Sequence, residues 1–69
     1  MTYEEQKRSD AATSALMTHA DEMQDIPGYS KRSVVELLTS LRIHCEQEGI
    51  NFEGAVIASK AHLQAMRSS

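Results

Sequence analysis

Residues 42–56 read RIHCEQEGINFEGAV, and the bend in this stretch decides the fold. Up to and into it, Val34, Leu37, Leu38, Leu41, His44 and Cys45 recur at the spacing that gathers side chains on one face of an α-helix. Gly49 stands where a helix ends on a left-handed residue, and Ile50 stands where a Schellman turn makes its apolar contact, here back onto Cys45. Asn51 offers the next helix an N-cap, and Glu53 suits its positive end. A second periodic run follows, with Phe52, Val56, Ser59, Leu63 and Met66 on one face, before an RSS tail expected to fray. The stretch reads as helix, tight turn, helix, and Cys45 has a structural reason to be small and apolar.

Working upstream, Ser30 or Ser33 can cap the leucine-bearing helix, with Tyr29 and Val34 spaced as a hydrophobic staple. Before it, DIPGYS places Pro27 and Gly28 where a type II turn wants them. Thr2 and Glu5 form a capping-box pair at the start of a first helix. Its apolar stripe, Ala12, Leu16, Ala20 and Met23, is thin, and Glu5, Arg8 and Ser9 continue the same face toward the N-terminus. The expected organisation is one domain over residues 1–69, with helices over about 3–23, 31–48 and 52–66 and turns over 24–30 and 49–51. This is an all-α, three-helix fold in which helices 2 and 3 form a hairpin, with helix 2 at its centre.

A chain of 69 residues buries only about 60% of the surface its unfolded form exposes, so its own core is marginal. Disulfides and metals are the usual staples at this size. One cysteine cannot form an internal disulfide, and one cysteine with three scattered histidines falls short of a zinc signature. Oligomerisation is the remaining route, and two features fit it. On helix 3, Gly54, Ala58, Ala61 and Ala65, flanked by Ile57, form a second face of small residues that would let another helix approach closely. On helix 2, Val35 and Ile43 lie off the main stripe. Lys31 and Arg32 at its N-terminal end and Glu46 and Glu48 at its C-terminal end oppose the helix macrodipole, and an antiparallel copy would set each basic end against an acidic one. A helical homodimer is therefore expected.

Charge narrows the partners. The net charge is −3, with six acids against two bases in residues 1–25 and five bases against four acids in residues 26–69. Duplex binding draws most of its affinity from neutralised phosphates, so this balance makes nucleic acid an unfavourable main partner. MTYEEQKRSD has no apolar signal core, and no run approaches the roughly 20 apolar residues of a membrane span. A cytoplasmic protein with a reduced thiol and no membrane contact is expected.

Three chemical readings of the opening stretch follow. Cys45 could be a nucleophile with His44, His19 or His62, but adjacent helical residues diverge by about 100°, so His44 cannot serve its neighbour. No two His or Cys residues stand four apart on one helical face. No catalytic, cofactor or metal site is assigned. A helix-turn-helix is closer in form, yet the first half of helix 3 holds Phe52, Glu53, Gly54, Ala55, Val56 and Ile57, where base-reading side chains belong. Its phosphate contacts would be limited to Lys31, Arg32, Arg42 and Lys60.

The residues LLTSLRIHCEQEGINFEGAVIASKAHL, Leu37 to Leu63, resemble a pattern found in small helical proteins of phages, prophages and plasmids. That pattern has a leucine-rich helix ending in His or Tyr plus Cys, then Gly, an apolar residue, Phe, and an alanine-rich helix with a late His. Its usual aromatic after the late His is Leu63 here. The resemblance implies an accessory protein of a mobile element without catalytic activity. The expected function is a non-enzymatic protein-protein interaction module, an inhibitor or modulator, with a dimeric helix-turn-helix-like DNA-binding regulator as the alternative.

Overall fold

A computed structural model describes residues 2–26, 28 and 30–68. The chain is all-α: α1 runs Tyr3–Glu22, α2 Lys31–Glu48 and α3 Phe52–Ser68, with no strand among the described residues. It divides into two compact units, Met1–Thr39 and Ser40–Ser69, so the first half of α2 belongs to one and the second half to the other.

In the first unit, the Thr2 hydroxyl accepts the Glu5 N–H at 3.1 Å and lies 3.4 Å from the Glu5 carboxylate. The charged first half of α1 is held by local pairs, Arg8 to Glu4 at 3.1 Å and Gln6 to Asp10 at 2.8 Å, each one helical turn apart. α1 ends in a Schellman turn: the Asp25 N–H donates to the Ala20 carbonyl at 2.8 Å and the Gln24 N–H to the Asp21 carbonyl at 3.1 Å. The left-handed residue is Gln24, at φ 54°. Asp25 then accepts the Ile26 N–H at 2.8 Å and pairs with Arg32 at 3.6 Å. Ser30 rather than Ser33 caps α2, its side chain accepting the Ser33 N–H at 3.4 Å and its carbonyl the Val34 N–H at 3.1 Å. The expected Pro27 turn and Tyr29 staple involve positions outside the described residues.

In the second unit, Gly49 takes φ 71° and the Ile50 N–H donates to the Cys45 carbonyl at 2.8 Å, the Schellman bond expected from the sequence. Asn51 caps α3: its side-chain oxygen accepts the Gly54 N–H at 3.0 Å and its carbonyl the Ala55 N–H at 3.0 Å. The tail expected to fray instead continues the helix to Ser68, whose hydroxyl donates to the Gln64 carbonyl at 2.9 Å.

The core differs from expectation. Among the described residues only Ala20 (7% exposed) and Cys45 (9%) are buried apolar side chains. Each is the residue whose carbonyl closes a Schellman turn, so burial collects under the corners. α2 is not the packed centre that its stripe suggested. Val34, Leu38 and Leu41 remain exposed and Leu37 is half-buried. On α1, Leu16 is half-buried while Ala12 and Met23 are exposed; on α3, Phe52 and Met66 are half-buried and Val56 and Leu63 exposed. A thiol or methyl is small enough for a turn to cover. A leucine needs a facing helix along its whole length, and periodicity does not supply one.

Candidate interaction surfaces

Among the described residues, thirteen large apolar side chains are exposed, distributed over α1, α2, α3 and the turns. Scattered exposed apolar groups are ordinary on a small protein; here they stand against only two small buried ones among the described residues.

On α2, Val35 is 48% exposed and Ile43 51%. Sequence reasoning passed over the exposure of Val34, Leu38 (43%) and Leu41, having assigned them to the core. On α3, Ile57 is 71% exposed, and Ala58, Ala61 and Ala65 are exposed beside it. Gly54 separates from this group. It is half-buried, and a Cβ there would lie 3.1 Å from the Asn51 amide nitrogen and 3.2 Å from Cγ. The cap that starts α3 is therefore enough to explain a glycine at this position.

α3 carries Glu53 in its first turn and Arg67 in its last, complementing its macrodipole at both ends, whereas α1 does so at its start, with Glu4 and Glu5, but ends on Asp21 and Glu22 beside His19. α2 has no acidic residue in its first turn and no basic residue in its last. Lys31, Glu46 and Glu48 form no ion pair with a described residue, whereas Arg32 meets Asp25. Arg42 closes the α2–α3 corner: its guanidinium lies 4.5 Å over the Phe52 ring and pairs with Glu53. The signal for this clasp was present in the opening stretch, as a base before the turn and an aromatic-acid pair after it.

The residues considered for chemistry do not converge. Cys45 is a buried free thiol, His44 and His62 are exposed and His19 is half-buried. No group of three His, Cys, Asp or Glu among the described residues could hold a metal ion. Of the candidate phosphate contacts, Arg32 and Arg42 are already engaged by carboxylates, leaving Lys31 and Lys60 without that restraint. No described helix is long and apolar enough to cross a membrane. None of the protein families, curated proteins or solved structures compared with this chain matches it.

Proposed function

We propose that this chain is a non-enzymatic protein-protein interaction module that works as a helical homodimer, with α2 and α3 folded as a hairpin about the Gly49 corner. Its setting is cytoplasmic, and its role is that of an inhibitor or modulator encoded by a mobile genetic element, the setting implied by the resemblance of Leu37 to Leu63. The observation that carries this reading is that, among the described residues, thirteen large apolar side chains are exposed and only two small ones are buried. Surfaces of that kind are covered by another polypeptide in the working state of a protein. The Arg42 clasp across the corner supports the hairpin.

Light scattering at micromolar concentration tests the dimer, with twice the chain mass of 7.7 kDa expected. A titration against duplex DNA at several salt concentrations tests the alternative regulator. Binding at physiological salt that weakens steeply as salt rises would overturn the interaction-module reading in favour of DNA.

A further inference from the structure

The seam that a second α2 would use can be read from its spacing. Lys31, Val34, Leu38, Leu41, Cys45 and Glu48 follow one another at alternating intervals of three and four, the heptad spacing that keeps a single line of side chains facing a partner helix. The line is apolar in its middle, basic at its start and acidic at its end. We propose that a second copy of this chain covers it, with the two α2 helices antiparallel about a two-fold axis between Thr39 and Ser40. This inference rests on the homodimer reading and adds the surface, the direction and the register.

One antiparallel register pairs the charged ends and the central leucines of the line. It sets Lys31 opposite Glu48 of the second copy, Val34 opposite Cys45, and Leu38 opposite Leu41, each pair occurring twice by symmetry. Cys45 is already buried within its own chain, so the apolar content of the seam is Val34, Leu38 and Leu41 from each copy, all exposed in the single chain. Sliding one helix by a heptad would place Lys31 against Leu41 and bury an unpaired charge. A parallel pair would place Lys31 on Lys31 and Glu48 on Glu48. Only the antiparallel register pairs opposite charges at both ends.

One further observation agrees. Both ends of α2 run against its own macrodipole, with no acidic residue in its first turn and no basic residue in its last. An antiparallel neighbour brings Glu46 and Glu48, together with the negative end of its backbone, to the basic start of α2. Ile43, on the far side of α2, and Ile57 with its alanine neighbours on α3 stay outside the seam.

Cross-linking tests direction and register without touching the seam's apolar residues. Lys31→Cys and Glu48→Cys chains are mixed and treated with a short bismaleimide, and the linked peptides are identified by mass so that Cys45 products are told apart. The expected product joins position 31 to position 48 of another chain. Lys31→Cys alone should not link to itself, because in this register the two copies of position 31 lie at opposite ends of an 18-residue helix, about 25 Å apart. Self-linking of Lys31→Cys would overturn the proposal in favour of a parallel pair. Leu38→Glu should weaken association roughly a hundredfold or more by leaving a charge in the seam. Lys31→Glu should weaken it several-fold and Lys31→Glu with Glu48→Lys restore it; failure of the double variant to restore would refute the register. If Ala61→Glu gives monomers while Leu38→Glu leaves dimers, the homodimer reading stands and the α2 seam falls. A native chain that is monomeric at micromolar concentration overturns both.

Discussion

Two helix ends in this chain solve the same backbone problem with different residues, and exchanging their solutions gives a paired prediction of opposite sign. Gly49 and Gln24 both occupy the left-handed position of a Schellman turn, at φ 71° and 54°. A residue with a Cβ pays about 1–2 kcal/mol to sit there, while glycine loses about 0.5–1 kcal/mol more conformational entropy on folding. The difference leaves glycine favoured by about 0.5–1 kcal/mol at either site. Gly49→Ala should therefore destabilise the chain and Gln24→Gly stabilise it by similar amounts. The alanine variant tests the backbone alone, because a Cβ at Gly49 meets no atom within 4 Å. The glycine variant loses an exposed side chain. For a domain of this size, about 1 kcal/mol moves Tm by roughly 4–8 °C, so circular dichroism melts should show shifts of about 2–8 °C down and up respectively. Protein concentration must be equal throughout, since melting of an associating chain depends on it. A Gly49→Ala chain melting at the native temperature, or a Gln24→Gly chain melting lower, would refute the assignment of these corners to left-handed strain.

Three other outcomes are expected. Asn51→Ala should cost about 1 kcal/mol in a denaturant titration, by freeing the Gly54 N–H; Gly54→Ala should gain less than the usual ~1 kcal/mol of a helical glycine replaced by alanine, because its Cβ presses on the cap. A full gain at Gly54 would mean that the Asn51 side chain yields freely. Cys45→Ala should cost about 1–2 kcal/mol while leaving the helices intact, and the native thiol should react with a maleimide far more slowly than in the unfolded chain. Amide exchange should be fastest over residues 2–10, where exposed local pairs are the main restraint; protection equal to that of α2 would mean that another surface covers this segment.

How much of this was legible in the sequence follows from the range of each interaction. Thr2 with Glu5, Ser30, Asn51, and Gly49 with Ile50 act over three to five residues, and each makes the cap or turn bond that its residue type requires. α2 accordingly has the expected bounds, α1 stops one residue short and α3 runs two residues on. Gln24 was missed because a left-handed glutamine has no sequence mark; only glycine and asparagine announce that conformation. Helical spacing groups Gly54 with the alanines because it reports which residues share a face but not what lies above one of them. The burial of α2 was misjudged for a related reason. A stripe of Val34, Leu38 and Leu41 states that something apolar must face it, and leaves open whether that surface belongs to the same chain.

That distinction bears on how such a chain does its work. Most of the specific bonds here are at corners: the Schellman turns at Gln24 and Gly49, the three N-caps, and the Arg42 clasp on Phe52 and Glu53. Bonds of this kind set where helices begin, end and turn, and each contributes about 1 kcal/mol or less. They do not supply the apolar burial that makes folding strongly favourable, which at about 25 cal/mol per Å² must come from the exposed helix faces. Folding stability and partner binding then draw on the same residues. Raising chain concentration, or adding a partner that covers those faces, should raise Tm, and substitutions at Leu38 or Leu41 should remove the concentration dependence before they alter the corners. A Tm independent of concentration over a hundredfold range, with the native chain fully folded as a monomer, would show that the corners and two small buried side chains suffice.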